Sequence, residues 1–203
     1  MTFAQDDWAA QTEARVLEAA LALVPFTGWT WATVFAAAKA EGLSAGEAEL
    51  LLPEGPRDLA ALFSRACDRA ALESLAEHDP AALKVRERIG LGVIARTAAV
   101  MEHPAAARRW TGFLALPPHA PLAARLVWES ADTLWRWAGD ASTDENHYSK
   151  RAILAALLTS VLLVWLADGE EAAHRRLDKG IEHVMAFERL KARLKKPMAL
   201  LAR

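Results

Sequence analysis

The chain has 203 residues, of which 53% are hydrophobic and 25% charged, and its formal net charge is −2. This length allows one domain with a substantial core, or a small head with a larger body. The near-neutral charge gives no support to a nucleic-acid-binding class. Because soluble domains are usually about 45–50% apolar, the excess predicts an interface, an apolar cavity or a membrane contact.

The chain carries one cysteine, Cys67, which excludes an intramolecular disulfide and is typical of a reducing compartment. Its first residues, MTFAQDDW, resemble neither a secretory signal nor an arginine-rich transit peptide. The longest uncharged stretch, 152–167, has 16 residues and is shorter than the roughly 18 of a spanning helix. We therefore expect a buried helix there. The Ala- and Arg-rich sequence without a presequence is typical of a bacterial protein that acts in the cytoplasm.

Apolar residues recur with the 3.6-residue period of helices along the whole chain, which predicts an all-α fold of about nine to ten helices. Leu17, Leu21 and Val24 share one face of the first helix, which Pro25 and Gly28 are expected to end. A second helix ends at Gly42. Ser44 and Glu47 have the spacing of a capping box that opens a short third helix, and Pro56 is placed to begin a fourth.

This three-helix spacing over residues 15–63 resembles the N-terminal head of TetR-type repressors, in which the third helix enters the DNA major groove. Here residues 41–56 contain four glutamates and neither Lys nor Arg. Such a segment repels phosphates, whose neutralisation supplies most non-specific DNA affinity. No nucleic-acid partner is therefore expected. A ligand-responsive repressor that binds DNA through flanking segments is the alternative.

Further helices are predicted over about 84–102, 105–114, 122–138, 142–168 and 170–196, from the same periodicity and from stop signals between them. We divide the chain into a head, 1–80, and a body, 81–203. The helix that contains 152–167 is apolar all round, so burial on every face is expected.

An ordered block in residues 131–158, ADTLWRWAGDASTDENHYSKRAILAALL, resembles the ubiquinone-biosynthesis lipid-binding accessory family, the partner of the di-iron demethoxyubiquinone hydroxylase. The corner LALPPHAP at 114–121 resembles that family too. The matching positions within the block are Asp132, Trp135, Trp137, Ala138, Gly139, Asp140, Ser142, Thr143, Asp144, Asn146, Tyr148, Arg151, Ala152 and Leu154. The resemblance implies a TetR-like homodimer without DNA binding or catalysis. It also implies an isoprenoid lipid in the body and delivery of a membrane-embedded quinone precursor to the hydroxylase.

A long apolar ligand is stabilised by about 0.8 kcal/mol per buried CH₂, so leucine-rich body helices suit an isoprenoid quinone precursor or a phospholipid. The alternative is that these residues are ordinary core and dimer contacts. The predicted wall consists of large apolar residues: Trp110, Phe113, Leu114, Leu116, Leu134, Leu154, Leu157, Leu158 and Leu162.

The resemblance places the surface that meets the hydroxylase on the helix around 122–138. Its candidate residues are Asp132, Trp135, Trp137 and Asp140. Trp135 and Trp137 are two positions apart on a helix and point in different directions, so one can anchor a partner while the other is buried. The alternative is that both tryptophans are buried. For the segment from Gly139 to Asp144, turn and cap chemistry is a simpler interpretation than a reactive cluster.

The last predicted helix has a basic face and an apolar stripe, an arrangement that suits anionic lipid headgroups. The resembled family uses a terminal amphipathic helix in this way, so we expect a protein peripheral to the bacterial inner membrane. The alternative is a helix docked on its own protein. The predicted membrane contacts are the stripe residues Ile181, Val184, Met185, Phe187, Leu190 and Leu194.

An uncharacterised enzyme is the third hypothesis for this sequence. Glu171 and His174 form one Glu-x-x-His pair, but a di-iron bundle needs two such pairs and two further inward glutamates. Gly90, Gly92 and Ala95 match a dinucleotide-binding spacing, yet they follow no strand. We expect no metal and no cofactor besides a bound lipid, and Cys67 is interpreted as a small buried residue.

Overall fold

The computed structural model describes residues 3–140 and 145–183, and every regular element in these ranges is helical, which confirms the predicted all-α class. Nine α-helices occur there, joined in part by short 3₁₀ turns at Pro80–Ala82 and Pro117–His119. The helices are α1 (Phe3–Thr27), α2 (Trp31–Ala40), α3 (Ala45–Leu51), α4 (Pro56–Leu75), α5 (Val85–Met101), α6 (Pro104–Leu114), α7 (Ala120–Trp137), α8 (Glu145–Asp168) and α9 (170–183).

Local signals in the sequence set most helix ends. The capping box of α3 is confirmed, since Ser44 N donates to Glu47 Oε2 at 2.8 Å and Glu47 N donates to Ser44 Oγ at 3.3 Å. Pro25, in contrast, does not end α1. The helix continues to Thr27 and ends at Gly28, whose positive φ of 71° and N–H bond to Val24 O close the last turn.

The larger core cluster joins the first helices to α5, α6 and α7. Phe63 of α4 lies at its centre, with its ring centroid 5.6 Å from that of Trp29 and 5.6 Å from that of Trp110. Val16 and Leu126 belong to the same cluster. Apolar packing is therefore continuous across residue 80, and the division into head and body stays a prediction.

A second core cluster joins α5, α7, α8 and α9. Gly92 lets α5 approach α7 closely, because a Cβ there would lie 3.2 Å from Leu134 Cδ2. Gly180 does the same for α9 and α8, since a Cβ at this position would overlap the Leu157 side chain. Leu154 and Leu177 complete the packing between α8 and α9. This cluster fixes the body helices that surround the site described below.

Helix α8 is not buried on every face, so that expectation was wrong. Leu163 is 51% exposed, and Ala152, Ala156 and Thr159 are exposed on the same face. Neighbouring helices cover only part of its circumference. Among the described helices, α8 is the one with the length and hydropathy of a membrane span, over His147–Asp168. Because a core helix can have the same length and composition, this is weak evidence for a spanning role.

Candidate functional site

A cavity of about 330 Å³ lies among α4, α5, α6, α7 and α8. Its walls are mostly apolar, and its larger apolar side chains come from four of these helices: Val100, Trp110, Leu114, Val127, Leu158, Leu162 and Leu163. Small residues of α7, Ala123 and Ala124, leave the space that larger side chains would fill. The volume is in the range of ligand pockets, which are roughly 300–1,000 Å³.

The Trp110 ring is fixed as one wall of this cavity. Its Nε1 donates to Ala60 O at 3.0 Å, so the indole satisfies its buried N–H through the backbone of α4. Its ring meets Phe63 edge-on, with an interplanar angle of 79°. The aromatic core below the cavity therefore holds the orientation of this wall.

The cavity opens to solvent beside α8. Thr159 and Leu163 both line it and are exposed, and so are Ala115 and Ala124 on the facing elements. Thr159 and Leu163, two residues of the exposed face of α8, therefore border the mouth. A chain-like ligand can leave the cavity here.

A buried polar group forms the other end of the cavity. Arg96 of α5 is only 5% exposed, and its Nε donates to Asp68 Oδ1 of α4. Its Nη2 donates to Ser64 Oγ at 3.0 Å and to Ser64 O at 3.3 Å. Thr97 and Ser130, both buried, line the same region. The cavity is thus amphipathic, with one buried cation whose charge Asp68 balances.

Four of the nine predicted wall residues line this cavity: Trp110, Leu114, Leu158 and Leu162. The other five do not line it, and a role for them in lipid binding stays a prediction. Helical geometry explains the split, since successive residues such as Leu157 and Leu158 point about 100° apart.

Leu134, Leu154 and Leu157 fill the second core cluster, on the side of α7 and α8 that faces away from the cavity. Phe113 packs on the larger core cluster and stacks on the His119 ring with centroids 4.0 Å apart. Leu116 is half-exposed beside the 3₁₀ turn. These five side chains support the fold around the cavity instead of lining it.

Sequence reasoning missed the polar end of the cavity. Ser64 and Asp68 are four residues apart on α4, which puts them on one helix face. Arg96 is a single cation in an otherwise apolar part of α5. An isolated charge within an apolar helix, matched by a polar pair on a neighbouring helix, is the signal that could have identified this buried cluster.

The corner between α7 and α8 is held by a second buried arginine. Arg151 is 2% exposed in its side chain, and its Nε lies 2.6 Å from Asp132 Oδ1 while its Nη1 lies 3.1 Å from Asp140 Oδ2. Lys150 Nζ is 2.6 Å from Asp140 Oδ1, and Arg136 Nε is 2.8 Å from Asp132 Oδ2. The two carboxylates predicted to meet a partner are therefore bound within the chain, and the Asp140 carboxylate pairs with cations of α8.

The two tryptophans predicted at the partner surface are both partly buried against the second core cluster. Trp135 Nε1 donates to Lys150 O at 3.1 Å, and Lys150 Nζ lies 5.4 Å from the Trp135 ring centroid. Trp135 thus belongs to the same corner as Arg151. Partner binding by Asp132, Trp135, Trp137 and Asp140 remains a proposal.

Of the predicted membrane stripe, Ile181 lies within the described residues. Its side chain is partly buried against the second core cluster, and its Cδ1 is near Gly90. Ile181 therefore packs within the chain, against α5. The other predicted contacts, Val184, Met185, Phe187, Leu190 and Leu194, lie outside the described residues.

Glu171 and His174, the Glu-x-x-His pair of α9, each contact an oppositely charged or titratable residue of the same helix. Glu171 forms an ion pair with Arg175, and His174 Nε2 lies 3.8 Å from Glu170 Oε1. In the ranges that the structure describes, no group of three or more His, Cys, Asp or Glu side chains is arranged to hold a metal ion.

Cys67 is buried on α4, with its Sγ 3.7 Å from Ala99 O. Burial raises the pKa of its thiol from 9.0 to about 11, although the nearby Arg96 guanidinium opposes the shift. At pH 8 the thiolate fraction is then about 100-fold smaller than in the unfolded chain.

We expect iodoacetamide to label Cys67 of the native protein far more slowly than Cys67 of the urea-unfolded protein. Equal rates, followed by mass spectrometry, would contradict this burial.

Comparison with known proteins gives one consistent match. The family model described as COQ9 matches residues 120–188, which contain α7, α8 and the cavity mouth on α8. The COQ9-B ubiquinone biosynthesis protein of Xenopus laevis, described as mitochondrial, is 32% identical over 165 residues, covering 78% of this chain and 56% of the relative. The mitochondrial COQ9 of Rattus norvegicus is 30% identical over 186 residues, covering 86% of this chain and 59% of the relative.

The mitochondrial COQ9 of Homo sapiens is 30% identical over 165 residues, covering 78% of this chain and 52% of the relative. The chain thus spans between half and three fifths of the length of these relatives. The similarity extends well beyond the segment that the family model matches.

Proposed function

Because the chain belongs to the COQ9 family, we propose that it has a role in ubiquinone biosynthesis as a lipid-binding protein without catalytic activity. The observation that carries this proposal is the apolar cavity with its mouth between α7 and α8. An isoprenoid tail in such a cavity is stabilised by about 0.8 kcal/mol for each CH₂ removed from water.

The size of the cavity limits how much of a ligand it encloses. A cavity of about 150 Å³ holds one benzene ring. The 330 Å³ found here therefore suits a ring with the first part of its tail, and not a whole polyprenyl chain. We propose that an isoprenoid quinone precursor or a phospholipid binds with its remaining tail leaving at Leu163, where a membrane or a second protein can cover it.

We propose the demethoxyubiquinone hydroxylase, the membrane surface and a second copy of this chain as partners. Half-buried Trp135 and Trp137 at the α7–α8 corner offer aromatic anchors of the kind that interfaces use. The exposed apolar face of α8 is a surface that a second copy of the chain or a membrane would bury. In a bacterial cell such a protein acts from the cytoplasmic side of the inner membrane.

The repressor alternative finds no support in α3. The Glu47 carboxylate accepts bonds from Ser44 at the start of this helix, and Leu50 is among its most exposed side chains. A leucine and a carboxylate at the positions of a recognition helix offer no donors to phosphates or to most base edges.

A tryptophan at the cavity mouth tests the lipid-binding proposal. Thr159→Trp places a bulky ring at an exposed position of the mouth, where α8 can accept it without core strain. We expect the lipid that copurifies with the protein, measured by organic extraction and mass spectrometry, to fall at least about 5-fold.

Ala156→Trp is the matched control, since Ala156 is exposed on the same helix but does not line the cavity. Its lipid content should equal that of the unmodified protein. A protein that carries no lipid before substitution, or equal lipid in both variants, would argue against the cavity as the binding site.

A further inference from the structure

The buried guanidinium of Arg96 has donors that the chain leaves available. An arginine side chain carries five N–H groups. The bonds to Asp68, Ser64 Oγ and Ser64 O use one on Nε and two on Nη2. Nη1 makes no hydrogen bond with the described residues. Because Arg96 is 95% buried and lines the cavity, its two Nη1 donors are available to a ligand inside it.

Ser130 of α7 adds a second polar group to the same end of the cavity. It is nearly fully buried and lines the cavity, and in the described part of the chain its hydroxyl makes no hydrogen bond. Buried hydroxyls and guanidinium donors are nearly always hydrogen-bonded. These two polar groups at one end of the cavity can therefore bond to a ligand that carries oxygen atoms.

The charge around Arg96 indicates which oxygens are suitable. The Asp68 carboxylate already neutralises the guanidinium, and the remaining walls are largely apolar. A phosphate would enter as an uncompensated anion beside a carboxylate, which burial in an apolar cavity disfavours strongly. A neutral carbonyl, methoxy or phenol oxygen can accept the Nη1 hydrogen bonds without adding charge.

Resting on the proposed lipid binding, we propose that Arg96 and Ser130 recognise the head group of the ligand, and that this head group is a neutral ring bearing oxygen acceptors. The Trp110 wall and the limited volume suit a flat ring at this end, with its tail directed toward Leu163. Arg96 is then a specificity-determining residue. The apolar walls contribute affinity that does not depend on the head group.

The test compares two probes that share one tail. One is a ubiquinone with a two-isoprene tail, and the other is the same tail attached to unsubstituted benzene. Binding to the full chain is measured by calorimetry. We expect the quinone to bind about 10-fold more tightly, equivalent to about 1.4 kcal/mol. A short-chain phosphatidic acid, as a third probe, should bind no better than the benzene compound.

The double variant Arg96→Met with Asp68→Leu removes both charges together, so that no lone buried ion destabilises the fold. It should reduce quinone binding about 10-fold and leave the benzene compound within about 2-fold. The matched control is Arg65→Gln with Glu129→Gln, which removes an exposed ion pair between α4 and α7 that does not line the cavity. This control should leave both affinities unchanged.

The outcomes distinguish the head-group assignment from the lipid-binding proposal. If the unmodified protein binds the quinone and the benzene compound equally, the head-group assignment is wrong and lipid binding stands. If it binds neither, both are wrong. If the double variant weakens phosphatidic acid more than the quinone, the head group is an anion and the assignment to a neutral ring is overturned.

Discussion

Replacing Arg151 with methionine is expected to lower the free energy of unfolding by about 3–5 kcal/mol, as for removal of one partner from a buried ion pair. Methionine fills similar space but leaves the Asp132 and Asp140 carboxylates without their shared cation. The Asp140 side chain is nearly as buried as Arg151, so solvent compensates it poorly. Lys150 and Arg136, which also pair with these carboxylates, set the lower end of the range.

Urea denaturation measures this effect, and Arg136→Met is its control. Arg136 pairs with the same Asp132 carboxylate, but its side chain is 75% exposed. Exposed ion pairs contribute about 0.2–1 kcal/mol, so this variant should change stability little. Arg151→Lys should recover only part of the loss, because one ammonium cannot match the planar guanidinium between two carboxylates. Equal midpoints for Arg151→Met and Arg136→Met would show that the corner is not held as described.

The Arg151 cluster also shows where sequence reasoning reaches its limit. Asp132, Asp140 and Arg151 all lie in the block that carries the family resemblance, and they were grouped by that block and not by their contacts. A linear motif does not state whether a carboxylate faces a partner or a cation of the same chain. The ion pairs depend on how α7 and α8 cross, which spacing along one helix does not determine.

Helix positions, by comparison, could be predicted well because their causes are local. The Ser44–Glu47 capping box and the stop at Gly28 involve residues that are close in sequence, so they act in the same way wherever the helix packs. The exposure of Leu163, in contrast, has a cause that is not local in sequence. It depends on how many neighbours surround α8, and an apolar sequence indicates a need for cover without showing what supplies it.

The cavity walls were predicted in part for the same reason. Leu158 and Leu162 line the cavity while Leu154 and Leu157 face the second core, although all four lie on one apolar helix. Hydrophobicity identified the helix, and only the arrangement of α4 to α7 determined which of its faces borders empty space. Arg96 was missed because its partners come from another helix, 28 and 32 residues away in the chain.

Phe63→Ala is expected to lower the free energy of unfolding by about 3–5 kcal/mol, the range for truncating a buried phenylalanine. The ring is 1% exposed and contacts aromatic rings from both sides of residue 80, Trp29 before it and Trp110 after it. Removing the ring leaves a cavity next to rigid indoles, one of which is hydrogen-bonded to the α4 backbone, so the site cannot collapse easily.

Phe26→Ala is the matched control, since Phe26 is 83% exposed near the end of α1 and its loss should change stability by no more than about 0.5 kcal/mol. Urea unfolding followed by tryptophan fluorescence and by circular dichroism measures both variants. We expect the two probes to shift together for Phe63→Ala, because one continuous cluster holds α1, α4 and α6. A shift confined to one probe would show that the segments on either side of residue 80 unfold separately. In that event the continuous packing seen around Phe63 would not couple the stability of the head to that of the body.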